Sequence, residues 1–436
     1  MSGRVLVLGL GVTGRAVMDA LVRRDVEVLG VDDRPGAVAR ACAERLAIEL
    51  VEAPAPGDWP RLVGRATEVV VAPGIPDGHP LFAAAEAAGV VVLDESDLAA
   101  RWDDRPRCAV TGTNGKTTVV TLVADMLERS GLRALPSGNT DTPLVAAIDD
   151  AEADLFVVEA SSFRLGHAAN FAASPAAWLN FAPDHLDVHA DLASYEDAKA
   201  RIWEGIASHP DAVANLGDPV VAARAPAGAT GFGTPDAACR IESGLLLLDG
   251  SPVVEVAALP RSMPHDLENA QAACVVAVRS GATVEACADS LRGFGGLEHR
   301  MSFVAEVDGV RYVDDSKATT PHAALTALSS LPGAVLIAGG RNKGLDLTRL
   351  ADGRPGAVVA IGEAADAVAA AFDGRCPVVV ASSMEEAVRA ARRSAAGTGT
   401  VLLSPGCSSF DWYGSYADRG RDFQRIVRSL AGTGEA

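Results

Sequence analysis

The stretch VTGTNGKTTVV, residues 110–120, decides the fold, because a glycine-rich turn there joins two apolar-patterned runs. CAV (108–110) reads as the end of a strand and TTVVTLVADMLERSG (117–131) as a helix. Gly112, Thr113, Asn114, Gly115 and Lys116 between them, with Thr117 and Thr118 at the helix start, read as a phosphate-binding loop. Successive backbone N–H groups can cradle phosphates, Lys116 can reach the outer ones, and the Thr117 hydroxyl can ligate Mg²⁺. The G-x-x-x-x-G-K-T pattern would put its first glycine at position 110, which is Val110, so this is a shorter variant. A chance G-K-T is common, but one at a strand-to-helix junction points to a bound nucleotide.

A second glycine loop lies near the N-terminus. GLGVTG, with Gly9, Gly11 and Gly14, follows the apolar run RVLVLG and opens a helix. Asp32 and Asp33 end the next strand, ~20 residues on, as a dinucleotide fingerprint requires. The glycines admit a pyrophosphate close to the backbone, and the helix N-terminus attracts it. Three readings stay open on these residues: an NAD-dependent oxidoreductase, a site for another pyrophosphate, or a tight turn that binds nothing.

Strand-like and helix-like runs alternate along most of the 436 residues, which predicts parallel α/β sheets, and the length suggests about three domains. A first unit holds RVLVLG, VEVLGVDD, TEVVVAPG and GVVVLDE, and RWDDRPR reads as a polar linker ending near Arg107. A second begins at CAVTGTNGKTT and includes ADLFVVEASS, PAAWLNFAPDH and DAVANLGD, short β segments over 230–262, and a helix in LENAQAACVVAVRSG. A third has strands in GAVLIAGG, GAVVAIG, CPVVVAS and GTVLLSPG. The net charge of −19 argues against a nucleic-acid or anionic-membrane surface, so anionic substrates need local cations. The seven cysteines are scattered without a C-x-x-C, which suits reduced thiols in a cytoplasmic enzyme. No apolar run approaches the ~18 residues of a membrane span. The N-terminal run reads as a first strand, not a signal peptide.

Three further side chains stand out. Glu159 ends the strand LFVVE, where a carboxylate can hold Mg²⁺ or simply meet solvent. His185 and His189 in APDHLDVHA have a zinc-like spacing but no third soft ligand, so His185 is either a group beside Mg²⁺ or a solvated loop residue. SYEDAKARIWEGIA reads as a helix capped by Ser194, with Asp197 in the capping-box position. Its Tyr195, Lys199, Ile202, Trp203 and Ile206 share one face. Lys199 thus lies in an apolar stripe. Either its ammonium snorkels to water, or it is desolvated and available for chemistry at nitrogen.

TGTNGKTT, EASSFRL, NFAPDHLD, YEDAKARI, LEHR, DDSKATT and SPGCSSFDWYGSYADRG, in this order and spacing, resemble the Mur ligases. The resemblance covers essentially the whole chain, and SSFRL, DDSKATT and SPGCSSFD point to the members that add D-glutamate. It implies an N-terminal Rossmann-like UDP-sugar domain (1–105), a central P-loop-like ATPase sheet (106–298) and a C-terminal Rossmann-like amino-acid domain (299–436). It further implies that ATP activates UDP-N-acetylmuramoyl-L-alanine as an acyl phosphate, which D-glutamate's amine attacks. Gly11, Val12, Thr13, Asp32, Asp33, Arg34 and Asn139 would bind the UDP-sugar. Residues 112–118 with Asn269, Arg300 and Asp315 would bind ATP, and Lys116, His185, Lys199 and Lys317 would be catalytic. Thr117, Glu159, His185 and Lys199 would serve two Mg²⁺ ions, Lys199 as a carbamate formed with CO₂. Thr319, Lys343, Ser409, Phe410 and Tyr416 would bind D-glutamate. The expected protein is a cytoplasmic monomer. Departures from the pattern are GNTDTP around Asp141, Asp266 before the adenine contact, Thr320 after KAT, and Tyr416 for a frequent Phe. Against this ligase stand another Mur or folylpolyglutamate ligase, the oxidoreductase above, and a nucleotide-binding module without catalysis.

Overall fold

The computed structural model describes residues 3–140, 142–185, 188–206, 208–395 and 399–432; Asp141 lies outside them. Three sheets organise the chain. The first is wholly parallel, in the order β3-β2-β1-β4-β5, built from β1 (Val5–Leu8), β2 (Val28–Asp32), β3 (Glu49–Glu52), β4 (Glu68–Val71) and β5 (Val91–Leu93). The order reverses between β1 and β4, and an open parallel sheet binds its ligand beyond the carboxyl ends of such a pair. The GLGVTG turn lies there. Gly9 has φ +85°, and a Cβ on Gly14 would sit on the Gly9 carbonyl oxygen, so only glycine lets the helix Val12–Val22 start this close to β1. Gly14→Ala is expected to cost about 1–3 kcal/mol of stability through this overpacking, read as a lower urea midpoint at unchanged m value.

The second sheet runs β14-β13-β12-β11-β10-β9-β6-β8-β7. Its strands are β6 (Arg107–Thr111), β7 (Ala134–Gly138), β8 (Leu155–Glu159), β9 (Ala176–Trp178), β10 (Ala212–Asn215), β11 (Thr230–Phe232), β12 (Cys239–Glu242), β13 (Leu245–Leu248) and β14 (Ser251–Glu255). The third, β15-β16-β20-β17-β18-β19, comprises β15 (Ser302–Val307), β16 (Val310–Asp314), β17 (Val335–Gly339), β18 (Ala357–Ile361), β19 (Val378–Ala381) and β20 (Thr400–Leu403). Each sheet buries an apolar cluster on either face, as parallel sheets covered by crossover helices do.

The chain forms two compact units. Unit 1 spans Met1–Phe181, Asp187–Ser262 and Asp266–Phe294 and carries the first two sheets. Unit 2 spans Gly295–Ala436 with the short stretches Ala182–Leu186 and Met263–His265, and carries the third. Among the described residues no helix is long and apolar enough to cross a membrane, and all seven cysteines are unpaired.

Several local expectations need correction. β3 and β7 lie in runs that the sequence did not single out. β3 is an edge strand with Glu at both ends, and β7 is an edge strand containing Pro136, so neither has the apolar density of a central strand. The sheets are not all parallel: β12–β13–β14 and β15–β16 are antiparallel ribbons at sheet edges. Trp102 and Arg101 end a helix, Glu95–Trp102, so the polar connection before β6 is shorter than RWDDRPR. The helix around Lys199 starts earlier than expected, at Leu192–Ala200: Asp191 is the N-cap, and Ser194 completes its capping box rather than being the cap.

Candidate active site

β6 ends at Thr111, so Val110 is a buried strand residue paired across to β8 and β9, and the phosphate loop needs no glycine there. Gly112 (φ +154°) and Gly115 (φ +86°) turn the chain into the helix Lys116–Arg129. A Cβ on Gly112 would meet the Leu179 side chain at 3.0 Å, and one on Gly115 would collide with the Asn269 carboxamide. Asn269 therefore stands directly against the loop. Asn180 fastens the loop from β9: its carbonyl accepts from Thr113 N (3.1 Å) and its side chain from Asn114 N (2.9 Å). Lys116 Nζ donates to the loop carbonyls of Gly112 (2.8 Å) and Thr113 (3.1 Å), which holds the ammonium at the mouth of the cradle.

Behind the loop, Thr117 Oγ1 donates to Glu159 Oε2 at 2.8 Å, and Asn139 Nδ2 donates to Glu159 Oε1 at 3.2 Å. Glu159 is buried at the end of β8. These hard oxygen donors suit Mg²⁺. The buried Thr111 Oγ1 and Asn114 Nδ2 have no hydrogen-bond partner among the described residues, which fits a loop shaped around a polar ligand.

Lys199 is 1% exposed, its Nζ donating to Gly112 O (2.9 Å) and lying 4.7 Å from the Tyr195 ring centroid. The snorkelling alternative is thereby excluded, because the ammonium ends at the phosphate loop and not in water. Tyr195 OH and Thr113 Oγ1 are 3.2 Å apart, so one aromatic ring braces both the lysine and the loop. His185 falls in the stretch grouped with unit 2. It has a left-handed φ of +57°, and its Nε2 lies 3.3 Å from Asp184.

In the first sheet, Asp32 Oδ2 accepts from Leu10 N (2.6 Å) and Oδ1 from Arg34 N (2.8 Å). One oxygen thus ties β2 to the glycine loop and the other shapes the turn after β2. Gly11, Val12 and Thr13 form the helix start, and Asp33 and Arg34 are exposed beside it. Asn139 follows β7 in the second sheet. Arg164 links the two: fully buried, it pairs with Glu95 and donates to Thr13 Oγ1 (3.2 Å) and Gly138 O (3.0 Å).

In unit 2, Thr319 follows β16, Lys343 follows β17, and Ser409 and Phe410 follow β20. These three strands are neighbours, so the loops share one carboxyl edge. Tyr416 begins the last helix, Tyr416–Gly432, and Lys317 Nζ lies 3.8 Å from its ring centroid. Arg419, which lies in SPGCSSFDWYGSYADRG but was given no role there, is buried and binds the loops after β16 and β20, through Ser316 O (2.8 Å) and Cys407 O (3.1 Å). Burial in this apolar setting pulls its guanidinium down to about 10. Arg300 follows the left-handed His299, and Asp315 is buried, accepting from Ser404 Oγ (2.8 Å) and Met301 N (3.2 Å). Burial outweighs those donors and pushes the Asp315 carboxyl up to about 7. The folded protein therefore keeps a proton that the unfolded chain releases near ~4. Stability from this group is full below ~4 and is lost as pH rises to about 7. Asp315→Asn should flatten that slope in urea unfolding followed between pH 4 and 8 (a window set by the same shift).

Asn180, Arg164, Arg419 and the Tyr195 hydroxyl were not assigned roles from sequence. All four lie within quoted runs (NFAPDHLD, EASSFRL, SPGCSSFDWYGSYADRG and YEDAKARI), so the runs were visible although the contacts were not.

Family models match three consecutive parts of the chain: the Mur ligase MurD-like N-terminal domain over 3–94, the Mur ligase middle domain over 110–244, and the Mur ligase glutamate ligase domain over 299–407. The chain is 41% identical to the UDP-N-acetylmuramoylalanine–D-glutamate ligase of Frankia casuarinae, an alignment covering 98% of this chain and 94% of that protein. It is 39% identical to the ligase of the same name from Desulfosudis oleivorans, over 98% of this chain and 96% of that protein. Among solved structures, a pseudomurein peptide ligase type C from Methanothermus fervidus superposes with a TM-score of 0.61 at 16% identity, covering 98% of this chain and 100% of that one. The UDP-N-acetylmuramate-alanine ligase of Thermotoga maritima superposes with a TM-score of 0.59 at 16% identity, covering 98% of this chain and 99% of that one. These two likenesses concern the fold alone.

Proposed function

The chain belongs to the Mur ligase family, and from that premise we propose that it joins D-glutamate to UDP-N-acetylmuramoyl-L-alanine at the expense of ATP, releasing ADP and phosphate. One observation carries this reading: Lys116, Thr117, Glu159 and the buried Lys199 amine converge on a single phosphate loop. The relatives that share 39–41% identity over nearly the full chain bear the same activity in their names. The three domains would divide at about 105 and 298, with the substrates' phosphates on the two glycine loops.

A carboxylate is a poor acyl donor, so the alanyl carboxylate oxygen first attacks the γ-phosphorus of ATP and the bond to the ADP oxygen breaks. The amine nitrogen of D-glutamate then attacks the acyl carbon, phosphate leaves, and the amine gives up a proton. Two anions meet in the first step. The loop N–H groups and Lys116 orient the γ-phosphoryl and offset its charge in transfer. Glu159 and Thr117 would hold Mg²⁺, with His185 and a carbamylated Lys199 serving a second ion. Bound there, Mg²⁺ would neutralise phosphate charge and align the reactants. Burial favours the neutral amine, whose nitrogen must attack the carbon of CO₂ and then release a proton, which is the physical ground for the carbamate. In unit 2 the same reading assigns Arg300 and Asp315 to ATP, Lys317 to the transferring phosphoryl group, and Thr319, Lys343, Ser409, Phe410 and Tyr416 to D-glutamate. Substrates of this kind place the protein in the cytoplasm, and we take it to act as a monomer.

The test is phosphate release with UDP-N-acetylmuramoyl-L-alanine and each candidate amino acid in turn. D-Glutamate should be preferred; preference for meso-diaminopimelate, alanyl-alanine or L-glutamate would leave the ligase and overturn its substrate. Lys343→Ala should raise the D-glutamate KM by about 10–100-fold, the worth of a charged hydrogen bond, at unchanged KM for ATP.

A further inference from the structure

The loop after β4, residues 72–79, runs beside the GLGVTG turn, since a Cβ on Gly9 would touch Ala72 and Ile75. It forms the second wall of the crevice at the point where the strand order reverses. Asp77 sits in this loop. Its N–H donates to Val188 O at 3.1 Å, and its carboxylate lies 3.3 Å from His189 Nδ1 and 3.8 Å from His167 Nε2. His189 is buried, with Nε2 2.9 Å from Ser162 Oγ, and its ring stacks on Phe163 (centroids 5.7 Å apart) and packs near Tyr195 (5.3 Å). Tyr195 is the ring that braces the phosphate loop through Thr113. His167 in turn stacks on Phe82 of the first sheet's helix Pro80–Ala88, with centroids 4.7 Å apart. One carboxylate thus faces two imidazoles, and a continuous line of contacts joins the wall of one phosphate site to the floor of the other.

We propose that Asp77 is a positioning residue for the UDP-sugar, docking the 72–79 loop onto His189 and His167 so that the crevice keeps the width a sugar diphosphate needs. The inference rests on the substrate reading above. Asp77 touches no reacting atom. Without its carboxylate the middle of the loop keeps the backbone bond to Val188, and its ends keep Ala72 N to Leu8 O and His79 to Asp33, but it loses both imidazole contacts and spends less time docked. Apparent affinity falls in proportion to the docked fraction, whereas a bound complex is already docked and reacts normally. The effect therefore belongs in KM and not in kcat, which separates it from general loss of structure.

The experiment is calorimetric titration of the full chain with UDP-N-acetylmuramoyl-L-alanine, paired with steady-state kinetics. Asp77→Ala should weaken the affinity and raise the UDP-sugar KM about tenfold, with kcat and the ATP KM nearly unchanged. Asp77→Asn, whose carboxamide oxygen still accepts one imidazole N–H, should recover part of that loss. His189→Ala should weaken the same affinity, and the double variant should fall short of the sum of the two singles, because they share the Asp77–His189 contact. If the wild type does not bind this substrate, the substrate reading fails. If the wild type binds it and Asp77→Ala binds equally well, the inference about Asp77 fails. It fails equally if kcat and the ATP KM move with the affinity, or if the two variants add.

Discussion

Lys116→Ala should lower kcat by roughly 10²–10³-fold or more, the typical loss when one preorganised charge-stabilising donor is removed. The ammonium is already held by Gly112 O (2.8 Å) and Thr113 O (3.1 Å), so on the proposed reading it would be placed beside the transferring phosphoryl in advance. The UDP-sugar should bind the variant with wild-type affinity, because its glycine loop lies on a different sheet. Stability should change little: the side chain is half-buried and leaves no core cavity. Single-turnover phosphate release, with calorimetric binding of the UDP-sugar as the control, checks both halves. A wild-type rate in this variant would remove the phosphate-loop assignment.

Lys199→Ala should cost on the order of 10³-fold in kcat, since several kcal/mol of charge stabilisation would leave with the carbamate. Lys199 is 1% exposed, so alanine also opens a cavity. Lys199→Met separates the two effects by keeping the apolar stem while removing the nitrogen. Both variants should be inactive, the methionine one at near wild-type stability. A short-chain carboxylate should partly restore Lys199→Ala by supplying the missing anionic oxygen, and it should not help Lys199→Met, whose side chain fills the space. Depleting bicarbonate should slow the wild type and neither variant. Full activity in Lys199→Met would show that the nitrogen does no chemistry.

Some of this was legible in the chain and some was not, for identifiable reasons. The phosphate loop, the GLGVTG turn and the strand-end Glu159 depend on short covalent spacings. Gly112 and Gly115 are needed at positive φ, and Gly14 is needed because a Cβ would meet the Gly9 carbonyl. Such constraints are written into consecutive residues, so α/β character and two glycine turns between strand and helix followed from sequence. The apolar stripe Tyr195–Lys199–Ile202–Trp203 was equally visible, but its helix cap and the edge strands β3 and β7 were not, since exposed edges carry little apolar signal.

What the amino-acid order determined by itself, then, was which local shapes the backbone can take. Only the tertiary structure decided where the long side chains end. Lys199 could reach water or the phosphate loop from the same helix face, and packing 87 residues away at Gly112 O settled it. Asp77 meets His189 across 112 positions, and Arg419 meets Ser316 across 103. Arg164 meets Thr13 across 151. Such contacts follow from how sheets and helices pack, and a flexible charged side chain leaves no periodic trace of its partner.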